Sequence, residues 1–248
     1  MQPRQRLEHG AEAISRRTAI VLFRGDPRRE ERQKELPARF LSTIHRTLFG
    51  VLSSLDADLF TVDGIGDVSL RGRSSTFRYR ASTLGAAVGG ALDRCASAGY
   101  GRIILVAGDT PAISRSIVAA ALDHLANSRS AVIGRTEDGG FYLAGFSAPP
   151  ALGWDDILRD PSTAAQSLRS ASESLGFDTV ELPPAIDVDG RQSALRAVRR
   201  HVGFRGTRLL FSVLESLLTL RFRSEPRAFP AGLVSLGFTS LRAPPTHV

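Results

Sequence analysis

Short apolar runs alternate along the chain with longer amphipathic stretches. Residues 18–23 and 102–107 each have one polar residue followed by five apolar ones, several of them β-branched, which is typical of strands buried on both faces of a parallel sheet. Runs of similar character lie at 58–62, 131–133, 141–146 and 179–182, and a weaker extended stretch lies near 77–80. The pattern therefore predicts a sheet of several strands, most of them separated by other elements.

Between these runs, apolar residues recur at helical spacing. The clearest stripe follows Pro37, a residue that suits the first turn of a helix. The stripe consists of Phe40, Leu41, Ile44, Leu48, Val51, Leu52 and Leu55. Further helices are predicted at residues 84–98, where Thr83 provides an N-cap, and at 114–125, 162–175 and 192–202.

Strands that alternate with helices predict an α/β fold. We expect a single Rossmann-like domain at residues 18–202, with a mostly parallel sheet and helices on both faces. Residues 1–17 are polar and predict a flexible arm, and residues 203–248 form a C-terminal amphipathic helix and tail. The helix at 208–223 is too short to cross a bilayer. We expect it to pack on the domain or on a second subunit, as in a homodimer, rather than on an anionic membrane.

Composition narrows the class of protein. The chain has 248 residues, 42% of them apolar, which is enough for one substantial core. Cys95 is the only cysteine, so an intrachain disulfide and a cysteine-based zinc site are excluded. The N-terminus lacks the apolar stretch of a secretory signal, and we expect a cytoplasmic protein.

The basic residues favour an anionic ligand. The formal net charge is +7, and Lys34 is the only lysine among 32 basic residues. Guanidinium groups bind phosphate with two parallel hydrogen bonds and keep their charge at any physiological pH. We therefore expect a nucleotide-like partner, and we expect no nucleic acid.

Three motifs, each directly after a predicted strand, carry candidate chemistry. In Gly108-Asp-Thr-Pro111, Asp109 is placed to hold a divalent cation on a diphosphate, although it could equally cap the helix near Ser114. In Glu137-Asp-Gly-Gly140, two carboxylates precede backbone amides, but Asp-Gly between extended runs also signals a hairpin turn. Asp187 and Asp189 could complete a metal site or cap the helix near residue 192.

Taken in this order, the three motifs resemble the bacterial GT-A-like nucleotide-diphospho-sugar transferase family, the group often labelled arsenosugar-biosynthesis-type glycosyltransferases. The resemblance implies a GT-A fold that binds a nucleotide sugar through Mg²⁺ or Mn²⁺. It implies that Asp109 is the principal metal ligand and Asp189 the second, with Asp187 a less certain one. It places Glu137, Asp138, Gly139 and Gly140 on the sugar or acceptor side.

The chain departs from this family after the first strand. The family has a Pro-Gly turn and a Lys-Thr-Arg run that binds the nucleotide phosphates, whereas this chain reads Arg24-Gly-Asp-Pro-Arg-Arg-Glu-Glu-Arg-Gln-Lys34. We expect these residues to form a basic loop that contacts phosphate. The expected nucleotide- and sugar-binding residues are Arg24, Gly25, Arg28, Arg29, Gly108, Thr110, Gly139 and Gly140.

The resulting hypothesis is a metal-dependent glycosyltransferase that moves a sugar from a nucleoside diphosphate sugar to a small-molecule acceptor. Glu137 or Asp138 would act as general base on the acceptor hydroxyl. The alternatives are a nucleotidyltransferase on the same fold, which would release pyrophosphate, and a catalytically silent binding protein. The chain has no Gly-x-Ser-x-Gly elbow and no Walker loop, which argues against a serine hydrolase and a P-loop NTPase.

Overall fold

Eight strands and seven helices build the part of the chain that the computed structural model describes, which is residues 17–25, 27–63, 65–73 and 75–200. The strands are β1 (Thr18–Arg24), β2 (Asp58–Asp63), β3 (Gly66–Gly72), β4 (Thr76–Ala81), β5 (Arg102–Ala107), β6 (Ser130–Thr136), β7 (Phe141–Phe146) and β8 (Asp178–Ala185). The helices are α1 (Pro27–Lys34), α2 (Ala38–Ser53), α3 (Leu84–Ser97), α4 (Arg115–His124), α5 (Trp154–Ile157), α6 (Ala164–Ser174) and α7 (Arg191–Arg200).

The strands form one sheet in the order β4-β3-β2-β1-β5-β7-β6-β8. Neighbouring strands are parallel at β1 with β2, β1 with β5 and β6 with β8, and the other pairs are antiparallel. Among the described strands, only β3 and β7 therefore run against the common direction. The predicted α/β class is confirmed, but the described sheet is mixed rather than mostly parallel. Four of its seven neighbouring pairs are antiparallel, because β3 and β7 each lie between strands of the common direction.

The shared strand direction decides where the functional side chains meet. Asp109 follows β5 and Asp187 follows β8, while Arg24 ends β1. Because β1, β5 and β8 point the same way, these residues all lie at one edge, which we call the carboxyl edge. Residues 137–140 connect antiparallel β6 and β7, so this motif is a hairpin turn, and it lies at the same edge.

Several local predictions are confirmed by side-chain contacts. The predicted stripe of α2 is buried, with Phe40, Ile44 and Leu48 each about 1% exposed. The Ala86 N–H donates to Thr83 Oγ1 at 3.0 Å, so Thr83 caps α3. Ser114 caps α4 by accepting from the Ile117 N–H at 3.3 Å. The alternative in which Asp109 caps this helix is therefore wrong.

The segment after β1 differs from the expectation. Residues 27–34 form helix α1 rather than a basic loop. Pro27 opens the helix, Glu30 lies in its first turn, and Arg32 and Lys34 lie in its last, an order that matches the helix dipole. The sequence indicates a loop here because the segment lacks the apolar stripe of an amphipathic helix. The sequence does not predict strand β3 either, because Gly64 and Gly66 indicate a turn after β2.

The proposed N-terminal arm and the C-terminal helix at 208–223 lie outside the described residues. Within them, no helix has both the length and the apolar character that a membrane span requires.

Candidate functional site

A buried ion pair lies at the carboxyl edge. Lys34, the last residue of α1, has its Nζ 3.0 Å from Oδ2 of Asp109, and the two side chains are 0% and 5% exposed. Burial alone would lower the pKa of Lys34, but the carboxylates of Asp109, Glu30 and Asp189 outweigh it and raise that pKa above its usual value. Lys34 is therefore a fixed positive charge inside the sheet edge.

Three aspartates gather beside this pair. Carboxylate oxygens of Asp138, Asp187 and Asp189 all lie within 4.8 Å of one another, and we call these residues the acidic triad. Asp187 is buried, Asp189 is half-buried and Asp138 is exposed. The triad thus has a closed side within the protein and an open side toward solvent.

Backbone hydrogen bonds bring the triad together. The Val188 N–H donates to the carbonyl of Asp109 at 3.0 Å, which fastens the segment after β8 to the segment after β5. The Glu137 N–H donates to the Ala185 carbonyl at 3.0 Å, which fastens the hairpin turn to β8. Within the turn, Oδ1 of Asp138 accepts from the hydroxyl of Thr136 at 2.5 Å. The three motifs singled out in the sequence therefore converge on one place.

The electrostatics of the triad favour a cation. Burial and the negative charges of Asp109 and Asp187 raise the pKa of Asp189 to about 8, against the opposing effect of Lys34. A divalent cation would relieve this repulsion, and carboxylate oxygens are the ligands that Mg²⁺ and Mn²⁺ prefer. The residues present can thus hold a divalent metal ion. That Asp109 is its principal ligand stays a prediction, because its carboxylate is paired with Lys34.

The glycines of the motifs have packing roles. A Cβ on Gly108 would lie 2.6 Å from the Phe23 carbonyl oxygen, so this glycine lets β5 and β1 approach closely. Gly139 has a φ of +99°, and a Cβ there would lie 1.8 Å from the carbonyl oxygen of Ser162. The sequence predicts that both glycines contact the nucleotide or the sugar. Their ligand contacts stay predictions, as do those of Gly140, whose N–H donates to Asp138.

A cavity of about 570 Å³ lies between the carboxyl ends of β1 and β2 and helix α2. Arg24, Gly25 and Asp63 line it from the strand ends, and His45 lines it from α2. Arg24 is oriented by Asp63, whose Oδ1 accepts from Nε at 2.6 Å. Two predicted phosphate contacts thus border a cavity large enough for part of a nucleotide.

The other predicted binding residues are more dispersed. The side chain of Arg28 projects from α1 and is exposed, and that of Arg29 lies outside the described residues. Thr110 is fully buried directly after Asp109. Their contacts with a nucleotide stay predictions.

The two candidate bases have different surroundings. Glu137 faces α7, where Arg196 binds its carboxylate at 3.4 Å and Arg200 binds it as well. Asp138 instead joins the triad on its solvent side. The geometry therefore favours Asp138 over Glu137 for proton transfer.

The sequence predicts Lys34 as one of the basic residues that contact phosphate and His45 as a partly buried structural histidine, but it indicates neither the buried ion pair of Lys34 nor the place of His45 on the cavity wall. His45 is buried and has its Nε2 3.9 Å from Glu30. Burial, reinforced by the positive charges of Arg24 and Lys34, lowers the pKa of His45 to about 4. His45 is therefore neutral at pH 7, so it adds no charge to the part of the cavity wall that it lines.

His45 makes stability depend on pH. Its pKa is about 6.5 in the unfolded chain and about 4 in the folded one, so the stabilisation is complete above pH 6.5 and is lost as the pH falls toward 4. We expect His45 to account for a loss of about 3 kcal/mol in the free energy of unfolding, and we expect His45→Gln to lack this contribution. Urea unfolding of both proteins at pH 7.0 and pH 4.5 measures it. Equal losses for the two proteins would contradict the assignment.

Comparisons with known proteins agree on the fold. Residues 54–158 match the model of a family described as "Uncharacterized protein conserved in bacteria (DUF2064)", a stretch that contains Asp109 and Asp138 but neither Lys34 nor Asp187. A "putative nucleotide-diphospho-sugar transferase" from Desulfovibrio desulfuricans G20 superposes with a TM-score of 0.64 at 22% identity, covering 82% of this chain and 97% of that one. No curated protein matches the chain.

A nucleotidyl transferase from Methanothermobacter thermautotroptrophicus has a TM-score of 0.46 at 19% identity, covering 74% of this chain and 96% of that one. The resemblance to GT-A-like nucleotide-diphospho-sugar transferases that the motifs indicated is thus confirmed for the fold, through the Desulfovibrio structure and the bacterial family match.

Proposed function

We propose that this chain, which has the fold of a nucleotide-diphospho-sugar transferase, is a metal-dependent glycosyltransferase that uses a nucleoside diphosphate sugar. The observation that carries the proposal is the acidic triad beside the buried pair of Lys34 and Asp109. Carboxylates for a cation, and a buried ammonium group that offsets part of their negative charge, then lie at the edge where α/β folds bind their ligands. The name of the Desulfovibrio protein supports the same donor class.

In this proposal the ion is Mg²⁺ or Mn²⁺, held by Asp187 and Asp189 with the diphosphate oxygens. Mg²⁺ is commonly bound by one or two carboxylates together with substrate phosphates. The ion would neutralise the charge that develops on the departing nucleoside diphosphate. The buried ammonium group of Lys34 adds a permanent positive charge near this ion. Arg24 adds a second one at the wall of the 570 Å³ cavity, where the nucleoside would lie.

Asp138 would take the proton from the acceptor hydroxyl as that oxygen attacks the anomeric carbon. It is the exposed member of the triad, so an acceptor can reach it from solvent. Its Oδ1 is held by Thr136 and Gly140, which fixes the carboxylate in place for this role. The sugar moves to the acceptor oxygen, and the bond to the diphosphate breaks.

Product analysis tests the reaction class. The purified protein would be incubated with Mn²⁺, a panel of nucleoside diphosphate sugars and a mixed acceptor pool, and the released phosphates would be separated by ion exchange. We expect release of a nucleoside diphosphate. In a parallel incubation with nucleoside triphosphates and sugar phosphates, release of pyrophosphate would instead identify a nucleotidyltransferase. Metal-dependent binding without any turnover would identify a binding protein.

Paired substitutions separate the two candidate bases. Asp138→Asn keeps an oxygen for the hydrogen bonds of the turn, so we expect folding and nucleotide binding to persist while turnover falls at least about 100-fold. Glu137→Gln is the matched control, and we expect turnover within about threefold of wild type because exposed ion pairs contribute only about 0–1 kcal/mol. A larger loss for Glu137→Gln than for Asp138→Asn would reverse the assignment.

A further inference from the structure

A second, larger cavity lies at the opposite edge of the sheet from the acidic triad. It has a volume of about 980 Å³ and is lined by the first residues of β1, β2 and β5, the end of β3 and the C-terminal part of α2. These strand ends face away from the carboxyl edge, and Phe49 of α2 is the one described residue that lines both this cavity and the 570 Å³ cavity. We call it the amino-edge cavity.

Strand register explains how its floor forms. Thr61 of β2 pairs with Arg71 of β3, so their side chains share one face of the sheet. Leu59, two residues before Thr61, lies on that face too. Helix α2 packs beside this surface on β1 and contributes Phe49 to the wall. The cavity is therefore a pocket between a sheet face and a helix.

The charges lining this cavity are unequal. Arg17, Arg71, Arg73 and Arg102 line it, against Asp56 and Asp58. Asp58 is already engaged by Arg17 at 3.3 Å. Arg71 and Arg73 are exposed, and within the described ranges no carboxylate oxygen lies within 4.0 Å of either guanidinium group. The cavity thus offers two guanidinium groups that form no ion pair with the part of the chain that the structure describes.

We propose that the amino-edge cavity is a second ligand site, for a phosphate-bearing small molecule with an aromatic or other apolar part. Arg71 lies near the end of β3 and Arg73 directly follows that strand, and both line the cavity, where their guanidinium groups can bind phosphate oxygens together. Phe49, which is 47% exposed, provides an apolar surface for the rest of the ligand. A volume of about 980 Å³ matches sites that enclose small molecules.

Phenyl phosphate is a suitable probe, titrated calorimetrically into the full chain at low ionic strength with a chelator present. The chelator removes metal-dependent binding at the acidic triad. We expect Arg71→Ala/Arg73→Ala to weaken binding at least tenfold. Phe49→Ala is expected to weaken binding of phenyl phosphate but not of inorganic phosphate.

Two controls separate this site from general charge and from the proposed function. Arg115→Ala/Arg199→Ala removes two exposed arginines elsewhere on the protein, and we expect an affinity within about twofold of wild type. Asp187→Asn disables the triad and should leave phenyl phosphate binding unchanged. Absence of binding to wild type, or equal losses in the two double-arginine variants, would overturn the proposal.

Discussion

Replacing Lys34 with methionine is expected to lower the free energy of unfolding by about 3–5 kcal/mol at pH 7. Methionine fills a similar volume but leaves the Asp109 carboxylate, which is only 5% exposed, without its cation and close to Asp189. A buried charge that loses its partner costs far more than the pair contributed while it was intact. Chemical denaturation of both proteins measures the loss.

A double substitution shows whether the cost comes from charge. Lys34→Met/Asp109→Asn removes both charges of the pair, and we expect it to recover at least half of the lost stability. Asp109→Asn alone should be milder than Lys34→Met, because Lys34 still faces the carboxylates of Glu30 and Asp189. Equal destabilisation by Lys34→Met and the double substitution would show that packing of the lysine stem, rather than its charge, is what matters.

Replacing Asp189 with asparagine is expected to have opposite effects without and with metal. Burial and the neighbouring carboxylates disfavour the ionised form of Asp189. In the presence of a chelator we therefore expect the substitution to raise the free energy of unfolding by roughly 2–4 kcal/mol at pH 8. In the presence of Mn²⁺ the wild type gains stability by binding the ion. We expect Asp189→Asn to lose most of that gain.

Thermal unfolding with chelator and with Mn²⁺ measures both effects on the same samples. Asp156→Asn is a suitable control, because Asp156 is exposed and pairs only with Arg159 among the described residues. We expect this control to follow the wild type in both conditions. An Asp189→Asn protein that is less stable than wild type in chelator would contradict the electrostatic account of the triad.

Most strands and most helices could be predicted because their side chains carry a periodic signal. Residues 103–107 are a continuous apolar run, and the strand that contains them, β5, is buried from Ile103 to Ala107. The stripe after Pro37 predicted α2, and Thr83 marked the start of α3. In each case burial of the apolar residues or a local hydrogen bond explains why the sequence pattern predicts the correct element.

Helix α1 and the role of Lys34 could not be predicted in this way. The helix is almost entirely polar, so its position depends on contacts distant in sequence, above all the bond from Lys34 to Asp109. A single lysine among arginines was the one available signal. Likewise, Asp138 joins Asp187 and Asp189 only because a hairpin turn is fastened to β8, and no short-range pattern shows that.

The central claim is that the carboxyl edge binds a divalent cation together with a nucleoside diphosphate. Titration of Mn²⁺, with the free ion followed by electron paramagnetic resonance, tests it directly. The account predicts that wild type binds Mn²⁺, that a nucleoside diphosphate tightens this binding, and that Asp187→Asn weakens it at least tenfold. Mn²⁺ binding that is as tight in Asp187→Asn as in wild type, or that no nucleoside diphosphate tightens, would contradict the account.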